Sequence, residues 1–300
     1  MKLTIKNLSK TYTTGKSSGK VEALKDVSLT IGKGMYGLLG QNGAGKSTLM
    51  RTIATLQDAD QGTIHFGDID VFEQPEKLRQ ILGYLPQEFG VYPNVSAEEL
   101  LLHIADMKGI TSKTARKEIT DQLLQRVNLY EARKKRLDSF SGGMKQRFGI
   151  AQALLAKPQL IIVDEPTAGL DPMERNRFYN LLSELGEDAV VILSTHIVED
   201  VSTLCNEMAI IGEGQVLLTG KPEELESSLL GKVFEAPIDK KELHTISSEY
   251  KVISQRFYAG RMMVTIVADD MTDGRFSGKA PTLEDVYFNL LFDQKQPALV

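Results

Sequence analysis

Three short stretches hold side chains whose types and spacing suit phosphate chemistry. Gly40-Gln41-Asn42-Gly43-Ala44-Gly45-Lys46-Ser47-Thr48 is a full match to G-x-x-x-x-G-K-[ST]. Glycines in such a loop let backbone N–H groups converge on β- and γ-phosphates at the positive end of the following helix. Lys46 supplies a point charge to those phosphates, and the Ser47 hydroxyl can ligate Mg²⁺. Asp164 and Glu165 close the apolar run Leu160-Ile161-Ile162-Val163, which puts both carboxylates at the carboxyl end of a buried strand, where α/β sites lie. Asp164 is placed to hold the Mg²⁺ shell, directly or through water. Glu165 points the other way and is the candidate general base for an attacking water. Ser141-Gly142-Gly143 before a helical stretch is a second nest suited to an anion. Taken alone, the adjacent acids could be a helix start and the Gly-Gly a simple turn.

Around these residues the chain reads as alternating strands and helices. Leu3, Ile5 and Leu8, then Val27-Ser28-Leu29-Thr30-Ile31 with period-2 alternation, predict an antiparallel β region. Gly34–Leu39 predicts a buried strand running straight into the phosphate loop, with a helix from about Gly45 to Thr55; strand, glycine loop and helix is the context the motif needs. Gln61–Gly67 predicts another strand and turn. Ser96-Ala97-Glu98-Glu99 is a capping box, and helical periodicity over about 90–155 predicts an insertion between two halves of the core. Strand and helix then alternate through Ile211. Gly220-Lys221-Pro222 punctuates the end of a first domain, 1–220, and 221–300 is expected to form a small α+β appendage. Its signals are a hairpin turning at Ala259-Gly260 and a terminal helix opening at Thr282.

Composition narrows the classes. The formal charge of -5 argues against a nucleic-acid partner. The longest apolar run, Ala189–Leu193, is far below the ~18 residues a membrane span needs, and the first residues lack the apolar core of a secretory signal. One cysteine, Cys205, rules out an internal disulfide and a cysteine zinc cluster. The expectation is a soluble protein of a reducing compartment, with any membrane role peripheral. Arg133-Lys134-Lys135-Arg136 reads as a solvated basic face, with an anionic-lipid contact as the alternative.

In their order, these motifs resemble the ATP-binding subunit of an ABC transporter. Phe140-Ser141-Gly142-Gly143-Met144 is similar to the family's Leu-Ser-Gly-Gly-Gln signature, with Phe140 and Met144 as departures. The resemblance covers residues 1–220 strongly and implies a P-loop NTPase (RecA-like) α/β core with an antiparallel β layer and a helical subdomain. It implies ATP and Mg²⁺ as cofactors. It also implies a homodimer or heterodimer of ATP-binding subunits, in which each signature completes the other subunit's site and a separate membrane permease is driven. Residue by residue, Gln87 matches the loop glutamine that touches Mg²⁺, His196 the switch histidine at the γ-phosphate, and Tyr12 the aromatic that stacks on adenine. In Gly169-Leu170-Asp171-Pro172, Asp171 matches the residue that bridges to the opposite subunit. The cluster Phe89, Val91 and Tyr92 is expected, in a transporter subunit, to line a groove for a permease helix, with a local core plug as the alternative. The stretches 89–100, Gly220–Leu225 and Pro281–Tyr287 resemble the daunorubicin-type, ABC-2 export branch, with an importer as the alternative direction. Soluble ABC ATPases of translation or DNA maintenance fit less well, since this chain has one nucleotide unit, no sustained heptads and no zinc cysteines.

Overall fold

The computed structural model describes residues 1–14, 19–87, 90, 94–167 and 171–295. The chain divides into two units, Met1–Leu218 and Thr219–Val300.

The first unit opens with β1 (Leu3–Thr14) and β2 (Gly19–Ile31), paired antiparallel. The apolar positions of β1 break strict alternation because the register shifts between Ile5 and Leu8. Asn7 and, across from it, Asp26 adopt positive φ of 50° and 54°, and the Asn7 amide donates to Asp26 Oδ1 at 2.7 Å. This bulge turns Leu8 back to the face that buries Leu3 and Ile5. The alternation of β2 over Val27–Ile31 is kept, with Val27, Leu29 and Ile31 buried and Ser28 and Thr30 exposed.

β3 (Gly34–Leu39) leads into α1 (Lys46–Ile53), and β4 (Gln61–Phe66) and β5 (Ile69–Asp70) complete an antiparallel sheet of order β2-β1-β4-β5. Next come α2 (Pro75–Ile81), β6 (Leu82–Leu85) and the helices α3 (Ala97–Met107), α4 (Lys113–Arg126) and α5 (Gly142–Ala153). The capping box forms as its spacing predicts: Ser96 Oγ accepts from Glu99 N at 3.3 Å, and Ser96 N donates to Glu99 Oε2 at 2.9 Å. β7 (Leu160–Asp164), α6 (Pro172–Gly186), β8 (Val190–Thr195), α7 (Val198–Leu204), β9 (Glu207–Gly212) and β10 (Gln215–Gly220) follow.

The central sheet has the order β10-β9-β3-β8-β7-β6. Pairings from β9 through β6 are parallel, so β3, β6, β7 and β8 all end at one edge. β7 and β8 are buried along their whole length, as expected of strands covered on both faces. One core joins Leu3, Ile5 and Phe66 of the antiparallel layer to Leu49, Met50 and Ile53 of α1 and to Ile162 and Ile192 of the central sheet.

The second unit holds α8 (Pro222–Ser227), β11 (Val233–Ile238), α9 (Leu243–Glu249), β12 (Lys251–Tyr258), β13 (Arg261–Val267), β14 (Ser277–Gly278) and α10 (Leu283–Lys295). Its antiparallel sheet has the order β12-β13-β11-β14. Ala259 and Gly260, with φ of 47° and 80°, turn the hairpin. Ala236, Val264, Ile266, Ile246 and Phe276 form its core. No helix among the described residues is long and apolar enough to cross a membrane.

Candidate functional site

The carboxyl edge of the central sheet gathers the chemistry. β3 delivers the phosphate loop, β6 delivers Gln87, β7 delivers Asp164 and Glu165, and β8 delivers His196. Gly45 sits at φ 105° just before α1, and a Cβ there would lie 2.5 Å from Ala23 O, so only glycine fits. No side chain caps α1. Its first N–H groups therefore stay free for an anion.

Beside this loop lies a cleft of about 620 Å³, lined by Asn42, Gly43, Gly45, Lys46, Ser47, Thr48, Gln87 and Glu165, with Val21–Ala23, Lys25 and Glu213-Gly214 as the other wall. Lys46 is buried at the cleft floor. Its Nζ donates to Gly40 O at 2.8 Å and Gln41 O at 3.1 Å, and lies 3.5 Å from Glu165 Oε1. Burial pulls its pKa below the usual lysine value, while Glu165 acts in the opposite sense. Ala44 is buried under the loop.

Glu165 is a hub. Gln87 Nε2 donates to its Oε2 at 2.9 Å, and His196 Nδ1 lies 3.3 Å from the same oxygen. The residue takes φ 47°, a left-handed conformation that costs a non-glycine residue energy. Asp164 is buried, and burial raises its pKa; the Ser194 and Ser47 hydroxyls act in the opposite sense. Its Oδ1 has no hydrogen-bond partner among the described residues.

The remaining expected site residues lie outside this cleft. Tyr12 is on β1, 38% exposed, and does not line it. It is tied to the phosphate-loop helix through Gln57: Tyr12 Oη donates to Gln57 Oε1 at 2.7 Å, and Gln57 Nε2 donates to Thr48 O at 3.0 Å. Ser141 caps α5, its Oγ accepting from Met144 N at 3.3 Å, and Gly142 has open space around it. Neither Ser141, Gly142 nor Gly143 lines the cleft. Phe140 is buried, which accounts for an apolar residue before the signature serine. Asp171 caps α6 and accepts from Glu174 N at 2.8 Å. Gly169 and Leu170, and the cluster Phe89, Val91 and Tyr92, lie outside the described residues. In the basic run, Arg133 stacks on Tyr130 at 4.0 Å while Lys134, Lys135 and Arg136 are exposed.

Asp200 is the residue that sequence reasoning missed. Fully buried on α7, it accepts from Thr167 Oγ1 at 2.7 Å, Thr195 Oγ1 at 2.8 Å, Tyr179 Oη at 2.5 Å and Arg175 Nη2 at 2.6 Å. Thr167 follows Glu165 by two residues and Thr195 precedes His196, so one carboxylate fixes the backbone carrying both. Its position at the fourth residue after His196 was the only sequence signal.

A profile of the ABC transporter family matches residues 24–168. The chain is 38% identical over 231 residues to the linearmycin resistance ATP-binding protein LnrL of Bacillus subtilis, covering 76% of this chain and 72% of that one. It is 32% identical over 304 residues to the uncharacterized ABC transporter ATP-binding protein YxlF of the same organism, covering 96% and 99%. The bacterial ABC transporter cassette MJ0796, solved as a dimer and also as a dimer bound to ADP and Pi, superposes with a TM-score of 0.67 at 27% identity, covering 73% of this chain and 98% of that one. The fold that gathers the phosphate loop, the acid pair and His196 at one sheet edge is thus shared with a cassette solved in a post-hydrolysis state. This chain belongs to the ABC transporter family as an ATP-binding subunit, and it is an ATPase.

Proposed function

We propose that this subunit drives an exporter, working in pairs with each ATP held between the phosphate loop of one copy and Ser141-Gly142-Gly143 of the other. The observation that carries the pairing is the cleft itself. It is lined by the phosphate loop, Gln87 and Glu165 and by no signature residue, so a second chain is needed to supply the signature. The partner is the same chain or a similar ATP-binding subunit, and both act on a separate integral membrane permease from the cytoplasmic face. A relative named for linearmycin resistance supports the outward direction, since resistance suits removal of a toxic compound.

Within this reading Lys46 and the free N–H groups of α1 hold the β- and γ-phosphates, and Tyr12 stacks on the base. Glu165 orients the attacking water as general base. Gln87 and His196 share its Oε2 and fix its direction, and His196 reaches the γ-phosphate. Asp171 bridges to the opposite copy. Ser47, Asp164 and Gln87 would hold Mg²⁺. The fit is favourable: Asp164 Oδ1 is buried without a partner, the Ser47 hydroxyl is near enough to act on that carboxyl, and the donors are oxygens. No group of three or more acidic, His or Cys side chains able to hold a metal occurs among the described residues, which suits an ion completed by nucleotide phosphates. That ion would supply charge neutralisation at the phosphates.

Mixing two inactive variants tests the pairing. Lys46→Ala removes phosphate binding, and Ser141→Arg blocks the signature. In their heterodimer both lesions fall in one composite site and the other stays intact. The expected result is ATPase activity from the mixture where each variant alone has none. Heterodimers that form and stay inactive would contradict independent composite sites.

A further inference from the structure

The two signature glycines have different surroundings. Among the described residues, a Cβ built on Gly142 meets nothing within 4 Å, whereas one built on Gly143 would lie 2.6 Å from Glu174 Oε1 and 2.7 Å from its Cδ, and closer still to Oε2. The Glu174 carboxylate therefore rests directly on the Gly143 Cα, at the first turn of α5. Glu174 belongs to the first turn of α6, where its own N–H donates to Asp171 Oδ1 at 2.8 Å. Arg147, one turn along α5, brackets the contact: its Nε donates to Gly143 O at 3.4 Å, and its Nη2 lies 3.7 Å from Glu174 Oε1. A negative charge is favoured at the positive end of α5, so the seat is electrostatic as well as steric.

We propose that Glu174 is a positioning residue that sets the signature loop against the start of α6, and that Gly143 is glycine to make room for its carboxylate. The proposal rests on the reading of Ser141–Gly143 as the signature of a composite ATP site. Glu174 and Asp171 share one helical turn, so the contact holds the signature and the cross-subunit Asp171 in one rigid piece. A signature displaced by about 1 Å is enough to cost up to about 10²-fold in rate.

A double-mutant cycle on the full-length chain tests this. The methyl of Gly143→Ala evicts a mobile carboxylate rather than colliding with fixed backbone, so Gly143→Ala and Glu174→Ala should cause the same lesion. Each should lower kcat about tenfold with the dissociation constant for ATP at the phosphate loop unchanged, since neither residue lines that cleft. The double variant should be no worse than either single one, because the shared contact is already lost. Glu174→Gln, which keeps the shape and loses the charge, should recover only the steric part of the rate, giving a kcat between that of Glu174→Ala and the parent. Circular dichroism and melting temperature confirm the fold of each variant. Losses that multiply in the double variant would place the role of Gly143 in direct nucleotide contact and overturn the proposal, as would wild-type kcat in Glu174→Ala. Ser141→Arg is the control for the underlying reading: if it keeps full ATPase activity, the composite site itself is wrong, whatever the cycle gives.

Discussion

Asp164 is costly to the fold in a way that its place in the site explains. Burial raises its pKa, so the native state holds this proton more tightly than the unfolded chain does. The corresponding stability is present in acid and is lost as pH rises from the ordinary carboxyl value toward the raised one. At neutral pH the ionised carboxylate, with Oδ1 unpartnered, is a net cost. Asp164→Asn should therefore melt higher than the parent at pH 7 without nucleotide, by about 2–4 °C if the relief is near 1 kcal/mol. The gain should shrink toward pH 4, and the extra stabilisation by ATP with Mg²⁺ should be lost. Thermal melts at three pH values check this; a lower melting point at pH 7 would mean that the Ser47 and Ser194 contacts outweigh burial. At this scale the groups that the structure gathers at the carboxyl edge were legible, because loop glycines, Lys46 and a strand-end acid pair have few other uses together. Asp200 was not legible. A buried carboxylate with four donors has the same letter as a solvated one, and its donors come from segments 5 to 33 residues away.

Two helices begin on residues proposed to have double duty. Ser141 caps α5 and Asp171 caps α6, while both are also assigned to the interface between copies. Substitution by another good cap separates these roles at Asp171. Asp171→Ser keeps the cap and removes the carboxylate, whereas Asp171→Ala loses both, at a cost of about 1 kcal/mol. Expected is a near-normal melting temperature for Asp171→Ser with ATPase activity reduced as far as in Asp171→Ala. Full activity in Asp171→Ser would confine Asp171 to capping. The longer elements followed from sequence pattern: β2 through its alternation, α3 through its capping box, and the β12–β13 hairpin through Ala259-Gly260. β6, with four residues, and α2, with seven, are too short for periodicity to rise above noise. The place of β11 between β13 and β14 depends on pairings across distant segments, which local pattern does not encode. Pro237 even argues against a strand there, yet the partner β14 pairs only at Phe234 and Glu235, which leaves Pro237 on a free edge.

For the whole molecule, the arrangement of four parallel strand ends accounts for a cleft that one chain lines without its signature residues. The phosphate loop, Asp164, Glu165 and His196 converge at one edge, and Ser141-Gly142-Gly143 does not line the cleft beside them. The proposed export role rests on that division, since each of two copies would close on ATP with the other's signature and part after hydrolysis. Glu165→Gln tests it most directly. The variant keeps the shape of the hub that Lys46, Gln87 and His196 share, and loses the base. On gel filtration with light scattering in ATP and Mg²⁺, it should run as a dimer holding two ATP, and hydrolysis should fall by about 10²–10⁴, while the parent returns to monomer as ATP is consumed. A Glu165→Gln protein that stays monomeric in saturating ATP, or that hydrolyses ATP at the parent's rate, would contradict the account.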